Sequence, residues 1–164
     1  MIRYARIPTP AGTLFAASTE GAITGIYFEN QQYFPEITAK WQEDANDPVL
    51  RECARQIDEY FDGKRTEFDL PLAPAGTDFQ QRVWNEIARI PYGKTITYAE
   101  LARRAGAEGS ARAAGAATGR NPITLVVPCH RVVGSDGSLT GYAGGLPRKT
   151  RLLEIEGVLQ GSLV

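Results

Sequence analysis

Residues 97–119 read TYAELARRAGAEGSARAAGAATG, and this stretch organises everything around it. Thr97 followed three residues later by Glu100 has the pattern of a capping box, opening a short helix that should run through Arg104. Gly106 to Gly109 makes a tight connection, and Ser110 is placed to cap a further helix from Ala111 to about Thr118. Short helix, glycine-containing turn, short helix is the order of a helix-turn-helix. The second helix is built of small residues around one long side chain, Arg112. With so little bulk its backbone can lie close to another surface, either the protein's own core or a narrow groove of DNA. Reading base edges in the major groove takes several long polar side chains, which this helix lacks. Arg112 tips the reading toward DNA.

Upstream, Thr77 and Gln80 form another capping-box pattern, and Phe79, Val83, Trp84, Ile87 and Ile90 recur at helical spacing up to Pro91. Before that helix, Leu70-Pro-Leu-Ala-Pro-Ala-Gly76 has the composition of a domain connection, which places the boundary between residues 1–75 and 76–164. The first part reads as a meander of short strands, Ile2–Ile7, Thr13–Ser18 and Ala22–Phe28, punctuated by Pro8–Gly12 and Thr19–Gly21. Residues 29–47 show no period and are expected to be a loop with one helical turn. Asp47-Pro48 has the form of an N-cap followed by proline at the first helical position. Leu50, Cys53, Ala54, Ile57, Tyr60 and Phe61 continue a helix that Gly63 ends, so Cys53 belongs to an apolar stripe as a packed thiol. The expected class is α+β: a small N-terminal α/β domain with an antiparallel sheet and a helix, then a mainly helical C-terminal domain with a helix-turn-helix and a short strand carrying Cys129.

Composition closes off several function classes. The 164 residues are 43% hydrophobic and 23% charged, which is globular, and no run approaches the roughly 20 apolar residues that span a bilayer. MIRYARIPTP lacks the apolar core of a signal peptide, so the expected location is the cytoplasm, with no membrane partner. Two cysteines, one histidine and no Cys-x-x-Cys pair leave no structural zinc site of four Cys/His ligands, and no metal or cofactor is expected. Charge is informative once divided. Residues 1–75 hold 7 Lys/Arg and 12 Asp/Glu, net −5, and residues 76–164 hold 11 and 7, net +4. The basic half is the one that would meet a polyanion, although an excess of this size also arises by scatter.

The chemistry is concentrated downstream of Asn121-Pro122. An apolar run, Ile123–Val127, reads as a strand and leads into Pro128-Cys129-His130-Arg131-Val132. Proline ends the strand and presents Cys129 at its tip. Arg131 brings a positive charge that favours a thiolate. Gly134-Ser-Asp-Gly-Ser138 reads as a hairpin turn, and Gly141-Tyr-Ala-Gly-Gly145 as a glycine loop able to approach a flat ligand. Pro147 starts a last helix, with Leu152, Leu153 and Ile155 as its apolar positions and Glu154 and Glu156 near its end. On an extended segment adjacent side chains face opposite ways, so Cys129 and His130 need a water between them and a carboxylate to orient the ring. On chemistry alone, a reactive thiol and a buried structural Cys-His pair both remain open.

Pro128-Cys-His-Arg-Val132, with Asn121-Pro122 before it and Gly141-Tyr-Ala-Gly-Gly-Leu146 after it, resembles the O6-alkylguanine-DNA alkyltransferases, the methylated-DNA–protein-cysteine methyltransferases. The likeness runs from Thr77 to Gly157 and takes in Tyr92-Gly93, Thr97-Tyr98 and Ser110-Ala-Arg112. The first 75 residues match only in general organisation. The resemblance implies that Cys129 accepts an alkyl group from O6 of guanine, with His130 as base through a water and Glu156 orienting His130. It implies that Asn121 ties the recognition helix to the active-site strand, and that Tyr98 donates a proton to the departing guanine. Arg112 would fill the space of a flipped nucleotide, on a helix whose Ser110, Ala111, Ala113, Ala114 and Gly115 meet DNA together with Tyr98. Pro128, Val132, Tyr142 and Ala143 would line the base pocket.

The partner implied is double-stranded DNA carrying O6-alkylguanine, with O4-alkylthymine as a further substrate left open, met by a chain monomeric in solution with clustering on DNA left open. A thioether offers no route back to the thiol, so each molecule would act once. This chain departs from some members in lacking zinc ligands in its first domain, and from some relatives in having Ala143 where they have Ser. Two other readings stand beside this one: a lesion-binding or regulatory module without chemistry, and a cysteine hydrolase. Relatives that bind the lesion without transfer lack the acceptor cysteine.

Overall fold

The computed structural model describes residues 1–159, which divide into two compact units. The first comprises Met1–Ala75 together with Pro122–Val126; the second comprises Gly76–Asn121 and the chain from Val127 on.

In the first unit the meander forms as its turn residues dictate. Strands β1 (Ile2–Ile7), β2 (Leu14–Thr19) and β3 (Ala22–Phe28) pair antiparallel in sequence order. Residues 29–47 differ from the loop with a helical turn read from their composition: Trp41–Glu43 form a fourth strand, β4, parallel to β1 at the sheet edge. Three residues are too few to carry an alternating pattern, so nothing in their periodicity announces them. Helix α1 (Pro48–Phe61) starts as its sequence says, with the Asp47 carboxylate accepting from Leu50 N and proline in the first turn. Leu50, Cys53, Ile57 and Tyr60 are buried with Ala5, Ile7, Leu14, Ala16, Ile26 and Phe28 of the sheet. Burial pushes the Cys53 thiol up to about 12, which leaves it a packed apolar group at neutral pH.

The run Ile123–Val127 is not a strand. Ile123 makes one isolated parallel bridge to Ile26, Ile26 N donates to Pro122 O, and Thr124 N donates to Ile26 O. Leu125 then turns the chain through a left-handed conformation (φ 74°). A short apolar run bounded by prolines marks burial, and here Ile123, Thr124 and Leu125 are buried, but it does not by itself distinguish a strand from buried coil.

The second unit starts with α2 (Asp78–Ala88), closed by a full capping box between Thr77 and Gln80. Val83, Trp84 and Ile87 face inward, and Trp84 Nε1 donates to Ala117 O at 2.9 Å. Two residues of β5 (Ile96–Thr97) lead into α3 (Tyr98–Arg104), and α4 (Ala111–Gly119) follows. Gly106 (φ 82°) and Gly109 (φ 85°) take the left-handed conformations that the turn between the helices needs. The pair is a helix-turn-helix, as read. Its caps are simpler than expected: Thr97 accepts from Glu100 N, the Glu100 carboxylate turns to Arg103 and Arg104, and Ser110 makes no side-chain cap bond. A single 3-10 turn (Cys129–Arg131) precedes β6 (Val132–Val133), which pairs parallel with β5, and α5 (Leu146–Ile155) buries Leu152 and Leu153.

Candidate active site

Asn121 opens the approach to the cysteine. Its buried side-chain amide donates to Val127 O at 2.8 Å, bracing the loop whose ends lie on either side of residues 122–126. Pro128 then starts the 3-10 turn by accepting from Arg131 N, so Cys129 and His130 lie on a tight turn and not on the strand tip read from sequence. The alternation of a strand therefore does not apply to this pair. Cys129 is 3% exposed, and the His130 ring is wholly buried.

His130 Nε2 lies 2.7 Å from Glu156 Oε2, contributed by the residue that ends α5. Glu156 carries more than one bond. Arg131 Nε donates to its Oε1 at 2.7 Å and Arg131 Nη2 to its Oε2 at 2.9 Å, while Arg131 Nη1 donates to Ile90 O at 2.7 Å. Burial pushes the Glu156 carboxyl up, but the bonds from His130 and Arg131 overcome it and hold it at about 2. An ionised Glu156 places the ring proton on Nε2, leaving Nδ1 as the unprotonated nitrogen. Nδ1 is buried and has no hydrogen-bond partner among the described residues. Burial also lowers the His130 pKa, against the pull of Glu156, so the ring is neutral and basic at Nδ1.

Arg131 thus has contacts beyond its expected role. Its guanidinium holds Glu156, Ile90 O and the face of Tyr92 5.7 Å away, so it also serves the histidine's partner. A cation electrostatically linked to Cys129 is Lys149, which sequence reading passed over. A signal existed: Lys149, Leu152, Leu153 and Glu156 share the i, i+3, i+4, i+7 face of α5, a position where a lysine has no reason to be unless it is used.

Tyr98, at the start of α3, donates its hydroxyl toward Thr140 O (3.1 Å) and Gly141 O (3.3 Å). Burial, and the charge that Cys129 carries when ionised, push its phenol up to about 12. A cavity of about 440 Å³ lies beside it, lined by Tyr98, Ala111, Arg112, Gly115, Thr140 and Gly141, among others. Arg112 is exposed and makes no hydrogen bond or ion pair among the described residues. On helix α4, Ala111, Arg112 and Ala116 are exposed and Gly115 is half-buried. Ala114, read as part of the DNA-facing set, is wholly buried and offers a partner nothing; Ala113 is half-buried. Ala116 belongs on the outer face and follows from the helical period once Arg112 is placed there. Tyr142 and Ala143 are half-buried, Pro128 is buried, and the buried Val132 accepts from Lys149 Nζ at 2.6 Å.

Two family models match the chain: the ribonuclease-like domain of 6-O-methylguanine DNA methyltransferase over residues 2–74 and its DNA-binding domain over residues 78–158. The chain belongs to the methylated-DNA–protein-cysteine methyltransferase family. It is 47% identical over 156 residues to the enzyme of that name from Mycobacterium tuberculosis H37Rv, covering 95% of this chain and 93% of the relative. It is 48% identical over 153 residues to that of Methanosarcina barkeri, covering 93% and 96%. The structure of M. tuberculosis OGT in complex with DNA superposes with a TM-score of 0.86 at 44% identity, covering 94% of this chain and 92% of that one. With the family comes the enzyme class, an alkyltransferase that acts on DNA in repair. Among the described residues no helix is long and apolar enough to cross a membrane.

Proposed function

We propose that the chain repairs O6-alkylguanine in duplex DNA by a single irreversible transfer of the alkyl group to Cys129. The observation that carries this reading is the neutral, buried His130, oriented through Nε2 by an ionised Glu156 and left with a basic Nδ1 beside the cysteine turn. Through one water, Nδ1 takes the thiol proton of Cys129. The sulfur attacks the alkyl carbon, the S–C bond forms as the C–O6 bond breaks, and the electron pair leaves with the purine. Tyr98 supplies the proton that the departing base needs; its phenolate then regains a proton from solvent as His130 gives up the water-relayed one, so the net change is transfer of the thiol proton to the purine.

A lesion stacked in a duplex cannot reach a thiol that is 3% exposed, so the nucleotide must be extruded at a few kcal/mol of unstacking. Helix α4 suits the minor groove, where the code is degenerate and a protein that must act in any sequence loses nothing. Arg112, exposed and uncommitted, is the side chain that occupies the vacated place in the stack. The thioether is stable and no group nearby reverses it, so each molecule acts once.

Incubation with a duplex containing O6-methylguanine, followed by intact mass and peptide mapping, tests the reading. A gain of one methyl group on Cys129 is expected, and Cys129→Ser should bind the duplex but gain nothing. Wild-type protein recovered without the methyl group overturns the proposal.

A further inference from the structure

Lys149 is a buried ammonium, and no carboxylate among the described residues pairs with it. Its side chain is 0% exposed and, among the described residues, forms no ion pair. Its three N–H donors are all spent on backbone carbonyls: Val132 O at 2.6 Å, Thr140 O at 3.0 Å and Gly141 O at 3.2 Å. The ammonium also lies 5.8 Å from the centre of the Tyr98 ring. An unpaired charge taken out of water costs several kcal/mol, and a leucine or methionine would complete the α5 stripe without that cost. Burial accordingly pushes the group down to about 8, partly offset by Cys129 when that thiol is ionised. A lysine kept here needs a reason.

The carbonyls supply one. Thr140 O and Gly141 O, the two acceptors that Tyr98 uses, are also held by Lys149. For Tyr98 to protonate a departing purine its hydroxyl must let go of both, and a second donor makes that release cheap, because neither acceptor is left unmet. The third carbonyl belongs to Val132, three residues after the acceptor cysteine, so the same ammonium ties the 140–141 segment to β6. We propose that Lys149 is a positioning residue for the alkyl transfer, holding the Thr140, Gly141 and Val132 carbonyls together so that the Tyr98 hydroxyl is free to turn to the leaving base. The inference rests on the reading of Cys129 as alkyl acceptor given above.

A double-mutant cycle on the full chain tests it. Single-turnover transfer from a saturating O6-methylguanine duplex is measured for wild type, Tyr98→Phe, Lys149→Met and the double variant, with thermal unfolding confirming the folded state of each. In wild type, Tyr98→Phe should slow transfer by roughly tenfold or more, the low end of what a positioned general acid contributes. In the Lys149→Met background, where the hydroxyl is the only donor left to those carbonyls, the same change should cost about twofold or less, the coupling expected of residues sharing partners. The duplex concentration at half-saturation should not move. Lys149→Arg, which keeps charge and several donors, should restore much of the Tyr98 dependence.

An equal penalty for Tyr98→Phe in both backgrounds overturns the inference, as does the absence of any penalty in wild type. Should Lys149→Met lose its fold, Lys149→Gln takes its place. An amide has two N–H donors where the ammonium has three, so the penalty must again shrink and an unchanged one again overturns the inference. Wild type that leaves Cys129 unalkylated removes the proposed function and this inference with it; transfer with an unshared penalty removes only this one.

Discussion

His130 sits between burial, which disfavours its charge, and Glu156, which favours it, and burial prevails. The ring therefore stays neutral below the ordinary histidine range, and transfer should persist undiminished through pH 6.5, where a solvent-exposed imidazole would be half protonated. A rate that halves at that pH would place the proton elsewhere. The same two residues govern acid stability. As pH falls through 6.5 the unfolded chain binds a proton that the folded His130 refuses, and stability declines. From 4.5 toward 2 the unfolded chain also protonates a carboxyl that the folded state keeps ionised at Glu156, so the decline steepens. Urea midpoints measured across this range should show both limbs. Glu156→Gln should remove the lower one, cost about 3 kcal/mol at neutral pH by leaving the buried Arg131 without its counter-charge, and slow transfer. Reading the sequence places Glu156 and His130 as partners only through the family resemblance; that Arg131 shares the carboxylate depends on where α5 ends relative to the cysteine turn, which no local pattern specifies.

At the scale of elements, α4 is the informative case. A Cβ built on Gly115 would lie 3.8 Å from the Tyr98 ring, ordinary contact distance, so the fold itself does not require glycine there. Gly115→Ala should stabilise the protein by about 0.5–1 kcal/mol, the usual difference in a helix interior, while weakening duplex binding if the outer face of α4 seats against DNA. Thermal unfolding and a binding titration on the same variant separate the two effects. Equal affinity in both proteins would mean that α4 does not approach the duplex closely. Arg112→Ala should slow transfer from duplex far more than transfer from the free alkylated base, since only the duplex has a stack to refill. Equal losses on both substrates would refute that role. Helices α1 and α2 were legible because a cap and an apolar period agreed over two or more turns, whereas α3 and α4 rested on the glycine connection between them and on cap candidates, of which Ser110 makes no cap bond. The apolar run after Asn121 was not, since β-branched residues bounded by proline satisfy a strand template and a buried coil equally well; β4 escaped because its partner strand lies some forty residues away.

For the whole chain, charge is divided as unequally as chemistry. The net −5 of residues 1–75 and the net +4 of residues 76–164 accord with the match of the DNA-binding domain model to residues 78–158. Few exposed cations lie on or beside α4, with Arg112 and Arg120 the nearest in sequence, so the salt dependence of duplex binding should be shallow. A log–log slope of about −2 to −4 corresponds to a handful of displaced counterions. Fluorescence anisotropy across a salt series would measure it, and a slope near −10 would reveal a much larger phosphate footprint than this surface offers.

Pro122–Val126 crosses from one half of the sequence into the other unit's fold, and Cys129 follows it by three residues. A gene cut at residue 75 would therefore yield a C-terminal fragment carrying Pro122 O and Thr124 N without the β3 backbone they bond to, and an N-terminal fragment with Ile26 N and O deprived of those partners. The two parts of this protein are consequently bound to a shared evolutionary fate: neither can be exchanged for a foreign module by simple fusion, because the thread that delivers the reactive sulfur is also a stitch in its neighbour's seam.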